Sequence, residues 1–254
     1  MTVVIVTGAS AGIGEAIARR LGRPGMTLVL AARRPAELAR VAAAIEGNGG
    51  AAVTVPTDVR DPAAVAALVA RAREVTGRID ALVNNAGVGG PSSVLADDEV
   101  VDQVIDVNLR APIRLMRAVV PIMREQGGGT VVNIGSVAGE VGISGVYSAT
   151  KFALRGMTDS VRRELLGTGV HVVLVEPGYI GTPANTRTRK NLPGPEIVAA
   201  AVDSAIRRPR RRIIVPARYR AAVLAAGLLP MVADRMYRGR AARRGSLGTS
   251  SEAS

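Results

Sequence analysis

The chain has 254 residues, enough for one large α/β domain and too few for two of ordinary size. It has no cysteine and one histidine, His171, which excludes disulfides and thiolate metal sites and argues against a histidine-based triad. The net charge of +12 is concentrated near the carboxyl end, where residues 207–254 hold 12 arginines and only 2 acidic residues. No metal site is predicted.

The first predicted unit is a strand, a glycine-rich turn and a helix. Val3–Val6 is an unbroken β-branched run, as expected of a strand buried on both faces of a parallel sheet. The turn at residues 7–14 has the pattern G-x-x-x-G-x-G and leads into a helical pattern. Because such glycines admit a pyrophosphate beside amide donors of the helix start, the turn predicts a nucleotide-phosphate site. An ordinary tight βα turn is the alternative.

The second predicted strand, Met26–Ala32, ends at Arg33 and Arg34. A carboxylate there would bind a ribose 2′-hydroxyl, whereas arginine accommodates a 2′-phosphate. No acidic residue accompanies the two guanidiniums, so NADP(H) is favoured over NAD(H). The alternative is that the two arginines only solvate the start of the next helix.

Polar residues follow the next two predicted strands. Asp58 and Val59 come just after the strand Ala51–Pro56, where a ligand-facing carboxylate lies in a sheet of this kind. The strand Ile79–Val83 leads into an Asn/Gly segment at residues 84–90, which either wraps a cofactor or forms a simple turn. Both features belong to the same predicted edge of the sheet.

One or two amphipathic helices are predicted over Asp97–Met123, with Asn108 inside them. A mid-helix Asn is mildly unfavourable, so a compensating interaction is expected. The strand Thr130–Ile134 follows and ends in Gly135 and Ser136.

Tyr147 begins a predicted helix that runs to about Leu166, with Lys151 four residues along. Side chains at this spacing share a helix face, with Cβ atoms about 5–6 Å apart. A free phenol has a pKa of about 10, and a neighbouring positive charge lowers it. The two residues are therefore expected to form an acid–base pair. The spacing is common by chance and gains weight only beside a redox cofactor and an oxyanion partner.

A sixth strand, Val170–Val175, completes six alternations of strand and helix, and Ile213–Val215 is expected to be the last strand. This alternation predicts a Rossmann-type, doubly wound parallel sheet in a three-layer α/β/α arrangement, as a single domain. The domain is placed at residues 1–216, with a substrate lid at about 182–196. Residues 217–254 are predicted to form a basic helical extension and a disordered tail.

Seven stretches of residues 1–182 resemble, in family order, the roughly 250-residue branch of the short-chain dehydrogenase/reductase family. These stretches are Thr7–Gly14, Asp58-Val59, Asn84–Gly87, Asn108, Ser136, Tyr147–Lys151, and Pro177-Gly178 with Thr182. Each is weak alone, and the ordered set is specific. The resemblance implies hydride transfer between NADP(H) and a carbonyl or alcohol.

The resemblance also implies roles for individual residues. Ser136 would donate to the substrate oxygen, Tyr147 would be the acid–base, and Lys151 would hold the nicotinamide ribose and lower the Tyr147 pKa. Asn108 would organise a water between Lys151 and solvent. The implied cofactor residues besides Tyr147 and Lys151 are Gly8, Ser10, Gly12, Ile13, Gly14, Arg33, Arg34, Asp58, Val59, Asn85, Ala86, Gly87, Pro177, Gly178, Ile180 and Thr182. Within this set Arg33, with Arg34, would hold the 2′-phosphate.

Three departures from the family pattern concern specificity. Ser136 and Tyr147 are 11 positions apart, where about 13 is commoner, so the intervening loop is expected to be short. Ala11 stands where many NADP-using members carry a basic residue, which leaves the 2′-phosphate to Arg33 and Arg34. The predicted lid is polar and basic, and it does not identify a substrate.

The basic extension admits several interpretations. Residues 221–233 carry no charge, but 13 residues are fewer than the roughly 18–20 that span a bilayer. Such a segment with flanking arginines could lie on an anionic membrane through residues 217–240, or pack over the substrate pocket or a neighbouring subunit. Nucleic-acid binding is not predicted, because the extension lacks a recognised motif and has few stacking aromatics.

The expected function is NADP(H)-dependent reduction of a carbonyl, or the reverse oxidation. The alternatives are a non-catalytic NADP-binding regulator and a peripheral membrane reductase of lipophilic substrates. A homo-oligomer, a dimer or a tetramer, is implied by the resemblance. The amino-terminal strand argues against a signal peptide and predicts a cytoplasmic location, with peripheral membrane contact as the alternative.

Overall fold

Parallel strands and helices alternate along the chain in a computed structural model that describes residues 1–91, 93–182, 191–228 and 231. The strands are β1 (Thr2–Thr7), β2 (Met26–Ala32), β3 (Ala51–Pro56), β4 (Ala81–Asn84), β5 (Gly129–Ile134), β6 (Val170–Pro177) and β7 (Arg212–Val215). The helices are α1 (Gly12–Leu21), α2 (Pro35–Glu46), α3 (Pro62–Thr76), α4 (Asp98–Ile105), α5 (Ala111–Glu125), α6 (Gly145–Glu164), α7 (Glu196–Arg207) and α8 (Tyr219–Leu228).

The seven described strands form one sheet in the order β3-β2-β1-β4-β5-β6-β7, and every neighbouring pair is parallel. The chain winds outward from β1 in one direction and then from β4 in the other. Ligands of such sheets bind beyond the carboxyl ends of the strands where the winding direction reverses. The predicted Rossmann-type doubly wound sheet is therefore confirmed, and its expected ligand edge lies beyond β1 and β4.

The strand β1 illustrates how apolar runs produce three layers. Successive side chains of a strand point to opposite faces, so an unbroken apolar run supplies both. Val4 and Val6 pack into the core cluster that contains α1, α2 and α7, whereas Val3 and Ile5 pack into the cluster beneath α3 and α5. The sheet is thus covered on both faces.

The helical region at residues 97–123 is more broken than the amphipathic pattern predicts. The helices α4 and α5 are joined by a π-helical segment, Asp106–Arg110, which contains the fully buried Asn108. Single π-helical turns inserted between α-helices are frequent at functional sites. The segment turns Asn108 toward α6 and the end of β4.

Part of the predicted extension is helical, because α8 follows β7 after a short turn. Parts of the predicted lid and tail, residues 183–190 and 232–254, lie outside the described residues. None of the helices in the described part of the chain is both long and apolar enough to cross a membrane. The domain boundary at residue 216 stays a prediction.

Candidate active site

A cavity of about 540 Å³ lies beyond the carboxyl ends of β1, β2, β3 and β4. Most of the residues predicted to bind the cofactor line it: Gly8, Ser10, Gly12, Ile13, Gly14, Arg33, Arg34, Asp58, Val59, Asn85, Ala86, Gly87 and Thr182. They come from five separate turns of the chain. The doubly wound sheet brings these turns together at its ligand edge.

The glycine-rich turn is packed so closely that side chains could not be accommodated at Gly8 and Gly14. Gly8 and Gly12 have positive φ angles of 67° and 57°, which favour glycine over other residues. A Cβ atom on Gly14 would overlap the carbonyl oxygen of Gly8 and approach Asn85 Nδ2. Because no side chain covers these glycines, their backbone can face the cavity, as close contact with a phosphate requires.

Asn85 and Thr7 fasten this turn to the end of β4. Asn85 Nδ2 donates to the Thr7 carbonyl at 2.9 Å, and Thr7 Oγ1 accepts from the backbone amides of Asn85 and Ala86 at 3.0 and 3.1 Å. The side chain of Asn85 thus holds the turn, and its predicted contact with the cofactor stays a prediction. Thr7 is a supporting residue that sequence reasoning missed.

Three guanidiniums line the end of the cavity beyond β2 and β3. Arg34 donates to Ser10 Oγ at 3.2 Å, which joins the second turn to the glycine-rich turn, and Arg33 also lines the wall. Arg60 was not predicted. Its Nη2 lies 2.7 Å from Asp58 Oδ2, and this ion pair lowers the pKa of the Asp58 carboxyl. An arginine two residues after the strand-end Asp58 was the available sequence signal.

The turn that holds Asp58 and Arg60 is braced from α5. Arg114 Nη1 donates to the carbonyl of Arg60 at 2.8 Å and to that of Val59 at 3.2 Å. Arg114 thereby fixes the backbone that presents both charged side chains to the cavity. It is a positioning residue that no sequence signal indicated.

A second cavity, of about 430 Å³, adjoins the first and shares Ile13, Asn85, Gly87 and Val88 with it. The other predicted site residues that line this cavity are Ser136, Tyr147, Lys151, Pro177, Gly178 and Ile180. The predicted cofactor residues therefore run from one cavity into the other. The predicted catalytic hydroxyls lie in the second.

Lys151 is buried below the floor of the second cavity, with 5% of its surface exposed. Its Nζ donates to the Ile134 carbonyl at 2.9 Å and lies 5.7 Å from the centroid of the Tyr147 ring. Burial lowers the pKa of the Lys151 ammonium to about 8, because a low-dielectric site disfavours the charged form. The ammonium is still the major form at neutral pH.

Burial raises the pKa of the Tyr147 phenol above its ordinary value, because a low-dielectric site disfavours the phenolate. The hydrogen-bonding contact with Ser136 opposes this rise without cancelling it. The sequence-based expectation of a lowered Tyr147 pKa is therefore wrong for this structure, because burial outweighs the interactions that favour the phenolate. Tyr179, a cavity residue that sequence reasoning missed, adds a small further rise.

Asn108 lines neither cavity, but it supports the wall between them. Its Nδ2 donates to the Val88 carbonyl at 2.9 Å, and its Oδ1 accepts from the Val88 amide at 2.9 Å. A Cβ atom on Gly87 would lie 3.3 Å from Asn108 Oδ1 and 3.9 Å from Lys151 Nζ. The expected compensation of a mid-helix Asn is confirmed, whereas its role with a water stays a prediction.

The loop that carries Ser136 lies along α6. Ser136 Oγ accepts from the Ala138 amide at 3.1 Å and caps a short 3-10 helix, Val137–Gly139. A Cβ atom on Gly139 would lie 2.8 Å from the backbone carbonyl of Lys151, so loop and helix are in direct contact. This contact places Ser136 beside Tyr147 despite the separation of 11 residues.

Comparison with known proteins agrees with this fold. The sequence model of the short chain dehydrogenase family matches residues 2–193, so the chain belongs to that family and is an oxidoreductase. The resemblance drawn from the seven sequence stretches is confirmed. Groups of three or more possible metal-ligating side chains are absent from the described residues.

Individual relatives are reductases. Ketoacyl reductase HetN of Nostoc sp. (strain PCC 7120) is 39% identical over 223 residues, which are 84% of this chain and 77% of that protein. The 3-ketoacyl-(acyl-carrier-protein) reductase from Brucella melitensis, complexed with NADH, has a TM-score of 0.77 and 29% identity, covering 84% of this chain and 96% of that chain. A variant of actinorhodin polyketide ketoreductase with NADPH has a TM-score of 0.79 and 31% identity, covering 84% of this chain and 95% of that chain.

Proposed function

We propose that this oxidoreductase uses NADP(H) to reduce a carbonyl group to an alcohol, or to catalyse the reverse oxidation. The observation that carries the proposal is the pair of joined cavities. Arginines lie at one end, and Ser136, Tyr147 and Lys151 lie together at the other. Such a site suits a cofactor with a 2′-phosphate at the first end and a small carbonyl substrate at the second.

The residues present fit a nicotinamide dinucleotide. The glycine positions of the glycine-rich turn leave its backbone accessible and suit the pyrophosphate, and Pro177, Gly178 and Ile180 suit the nicotinamide end. The bound cofactor supplies the hydride. Arg33 and Arg34 would take the 2′-phosphate, and Arg60 would share this task through its position on the same wall.

The protein's part in the reaction is assigned to three side chains. As negative charge develops on the substrate oxygen, the hydroxyls of Ser136 and Tyr147 donate hydrogen bonds to it. Tyr147 then gives its proton to the oxygen, a task suited to its raised pKa, since a weaker acid holds its proton until charge develops. The Lys151 ammonium stabilises the phenolate that remains.

Ketoacyl compounds are the substrate class that we propose to test first. HetN and the Brucella enzyme are both described as ketoacyl reductases, and the cavity beside Tyr147 has room for a small carbonyl group. The panel should also contain steroids, aliphatic ketones and sugars.

The test of the mechanism is turnover of this panel with NADPH by wild type and Tyr147→Phe. Loss of the proton donor is expected to lower kcat by about 10²–10⁴-fold. Tyr219→Phe is the matched control, because its ring packs on Gly178 and only the hydroxyl is removed. Equal rates for wild type and Tyr147→Phe would contradict the mechanism. NADPH binding without turnover of any substrate would favour the regulatory alternative.

The choice of cofactor is tested by titration. NADPH is expected to bind at least tenfold more tightly than NADH, a difference of about 1.4 kcal/mol. Arg33→Ala should remove much of that difference, because it deletes one of the guanidiniums that would face the 2′-phosphate. Arg71→Ala on α3, whose side chain pairs with Glu74, is the control. Equal affinities of wild type for both cofactors would refute the assignment.

We also propose peripheral contact of the extension with an anionic membrane. Leu224 on α8 is 67% exposed, and the exposed Arg218 and Arg220 flank the start of the same helix. A Cβ atom on Gly178 would overlap the ring of Tyr219, so α8 begins against the wall of the second cavity. A membrane-bound α8 would therefore hold that cavity close to lipophilic substrates.

A further inference from the structure

Four charged side chains behind the second cavity have no part in the mechanism above. Glu176 of β6 is 1% exposed, and three further charged side chains are linked to it, directly or through one another. These are Glu140, which follows the 3-10 helix, Arg155 of α6 and Arg212 at the start of β7. Two carboxylates and two guanidiniums thus meet from four separate elements.

Their contacts form a continuous chain. Glu176 Oε2 pairs with Arg212 Nε, and Arg212 Nη2 lies 2.9 Å from Glu140 Oε1. Glu140 Oε1 also pairs with Arg155 Nη1, which donates to the Gly139 carbonyl at 3.5 Å. Arg212 therefore bridges the two carboxylates, and the chain joins the sheet to α6 through the Ser136 loop.

The network borders both ends of the segment that carries Ser136. At its start, a Cβ atom on Gly135 would lie 3.1 Å from Glu176 Cγ, so Glu176 packs directly on the backbone there. At its end, Glu140 is tied to Arg155, which lies one turn beyond Lys151 on the same face of α6. Ser136 lies between these two anchors.

We propose that Glu140, Arg155, Arg212 and Glu176 form a positioning network that holds Ser136 in hydrogen-bonding register with Tyr147. None of the four lines either cavity, so we infer that they act through Ser136. The network matters because it ties the loop to both the sheet and α6. The kinetic part of this proposal rests on the proposed function, whereas the register itself can be measured without turnover.

The network changes charge near neutral pH. Burial, and to a smaller degree Glu140, raises the pKa of Glu176 to about 7, although Arg212 opposes the rise. The charged groups that face Glu176 are Arg212 from β7 and Glu140 from the loop, and Arg155 faces Glu140 from α6. Protonation of Glu176 removes one of the two anchors of Arg212. We expect kcat to fall as the pH falls through about 7, and this step to vanish in Glu176→Gln.

The decisive experiment is a double-mutant cycle between Glu140→Gln and Ser136→Ala. In the wild-type background, Glu140→Gln should lower kcat about tenfold and leave the Kd of NADPH unchanged. In the Ser136→Ala background, the same substitution should change kcat by less than twofold, because the group it positions is absent. If Glu140→Gln lowers kcat about tenfold in both backgrounds, the two effects are independent, and the proposal is overturned in favour of a merely structural role.

Arg211→Gln is the matched control. Arg211 precedes Arg212, and its Nη2 lies 2.8 Å from Asp159 Oδ2, so this exposed pair also joins the start of β7 to α6. This pair is anchored on α6 rather than on the Ser136 loop. The kcat of Arg211→Gln should equal that of wild type, and a loss as large as that of Glu140→Gln would overturn the proposal.

The second readout needs no substrate. The ¹³Cζ resonance of Tyr147 in ¹³C-tyrosine-labelled protein, assigned with Tyr147→Phe, reports the hydrogen bond from Ser136. Ser136→Ala and Glu140→Gln should move it in the same direction, and an unmoved signal in folded Glu140→Gln would overturn the proposal. If Glu140→Gln does not fold, Arg212→Lys takes its place in this measurement. This variant keeps the positive charge but cannot span both carboxylates, so the same change of the signal is expected. Absence of turnover in wild type would refute the proposed function and leave this measurement valid.

Discussion

At the scale of single residues, burial decides the acid–base behaviour of the site more than the spacing of charges does. Tyr147 and Lys151 lie four residues apart on α6, as the sequence predicts. Both are surrounded by protein, so each favours its neutral form, and the pKa values move in opposite directions. Because burial disfavours its charged form, the Lys151 ammonium opposes folding at neutral pH.

Lys151→Met is expected to make the cofactor-free protein more stable at pH 7 by about 1–2 kcal/mol, while abolishing turnover. The folded-state pKa of Lys151, about 8, is below its value of 10.5 outside the fold, so the folded protein binds fewer protons between these values. Wild-type stability should therefore rise with pH from about 8 to 10.5, and its difference from the variant should shrink.

Urea unfolding of both proteins at pH 7 and pH 10 measures this difference. The control is Arg71→Met, which removes an exposed cation of α3 and should change stability by less than about 0.5 kcal/mol at either pH. A Lys151→Met protein that is less stable than wild type at pH 7 would contradict the burial argument.

Sequence reasoning named the residues of the site better than their contacts. Glycines, the Tyr147–Lys151 spacing and the strand-end Asp58 are local signals, and all of these residues line the two cavities. Arg114 and Tyr179 were missed because their positions depend on how distant elements pack, whereas Arg60 had a local signal in its position two residues after Asp58. The sign of the Tyr147 pKa shift was wrong for the same reason, since the sequence does not give the depth of burial.

At the scale of elements, the glycine-rich turn shows how a local pattern fixes a binding surface. Gly14, in the first turn of α1, lies against the Gly8 carbonyl, so the helix start packs directly on the turn that follows β1. The pattern predicted this turn correctly. In contrast, the π-helical segment around Asn108 was not predicted, and the partner of Asn108, Val88 in the segment after β4, is distant in sequence.

Gly14→Ala is expected to weaken NADPH binding at least tenfold and to lower the free energy of unfolding by about 1–3 kcal/mol. The added methyl group would overlap the carbonyl oxygen of Gly8, so α1 has to move away from the turn. Gly156→Ala is the control, because no atom lies within 4 Å of its added Cβ on the exposed side of α6. Titration with NADPH and thermal unfolding measure both effects, and unchanged binding in Gly14→Ala would count against the turn as the phosphate site.

At the scale of the whole molecule, the fold was predictable because strand and helix alternate with clear local periods. The two faces of the sheet were also predictable, since unbroken apolar runs demand cover on both sides. The surroundings of the basic extension were less predictable. Its composition allowed a membrane, a subunit or the substrate pocket as its neighbour, and α8 begins against Gly178 at the pocket wall while exposing Leu224. Oligomerisation and a cytoplasmic location stay predictions.

Membrane contact through α8 is expected to require both its apolar surface and its arginines. The full-length protein should pellet with phosphatidylglycerol vesicles more than with phosphatidylcholine vesicles, and less so at high salt, because anionic lipids attract Arg218 and Arg220. Leu224→Asp should release the protein from the vesicles, since it places a charge on the surface that enters the bilayer. Arg218→Glu combined with Arg220→Glu should do the same.

Leu166→Asp provides the matched control for this experiment. Leu166 is 70% exposed, close to the value for Leu224, but it follows α6 near the amino-terminal ends of the strands, opposite the cavities. Its replacement should leave vesicle binding unchanged if α8 is the membrane surface. Binding that is lost equally in Leu166→Asp and Leu224→Asp would indicate a nonspecific apolar effect. Loss of a dimer or tetramer in Leu224→Asp, measured by sedimentation without vesicles, would instead assign α8 to a subunit interface.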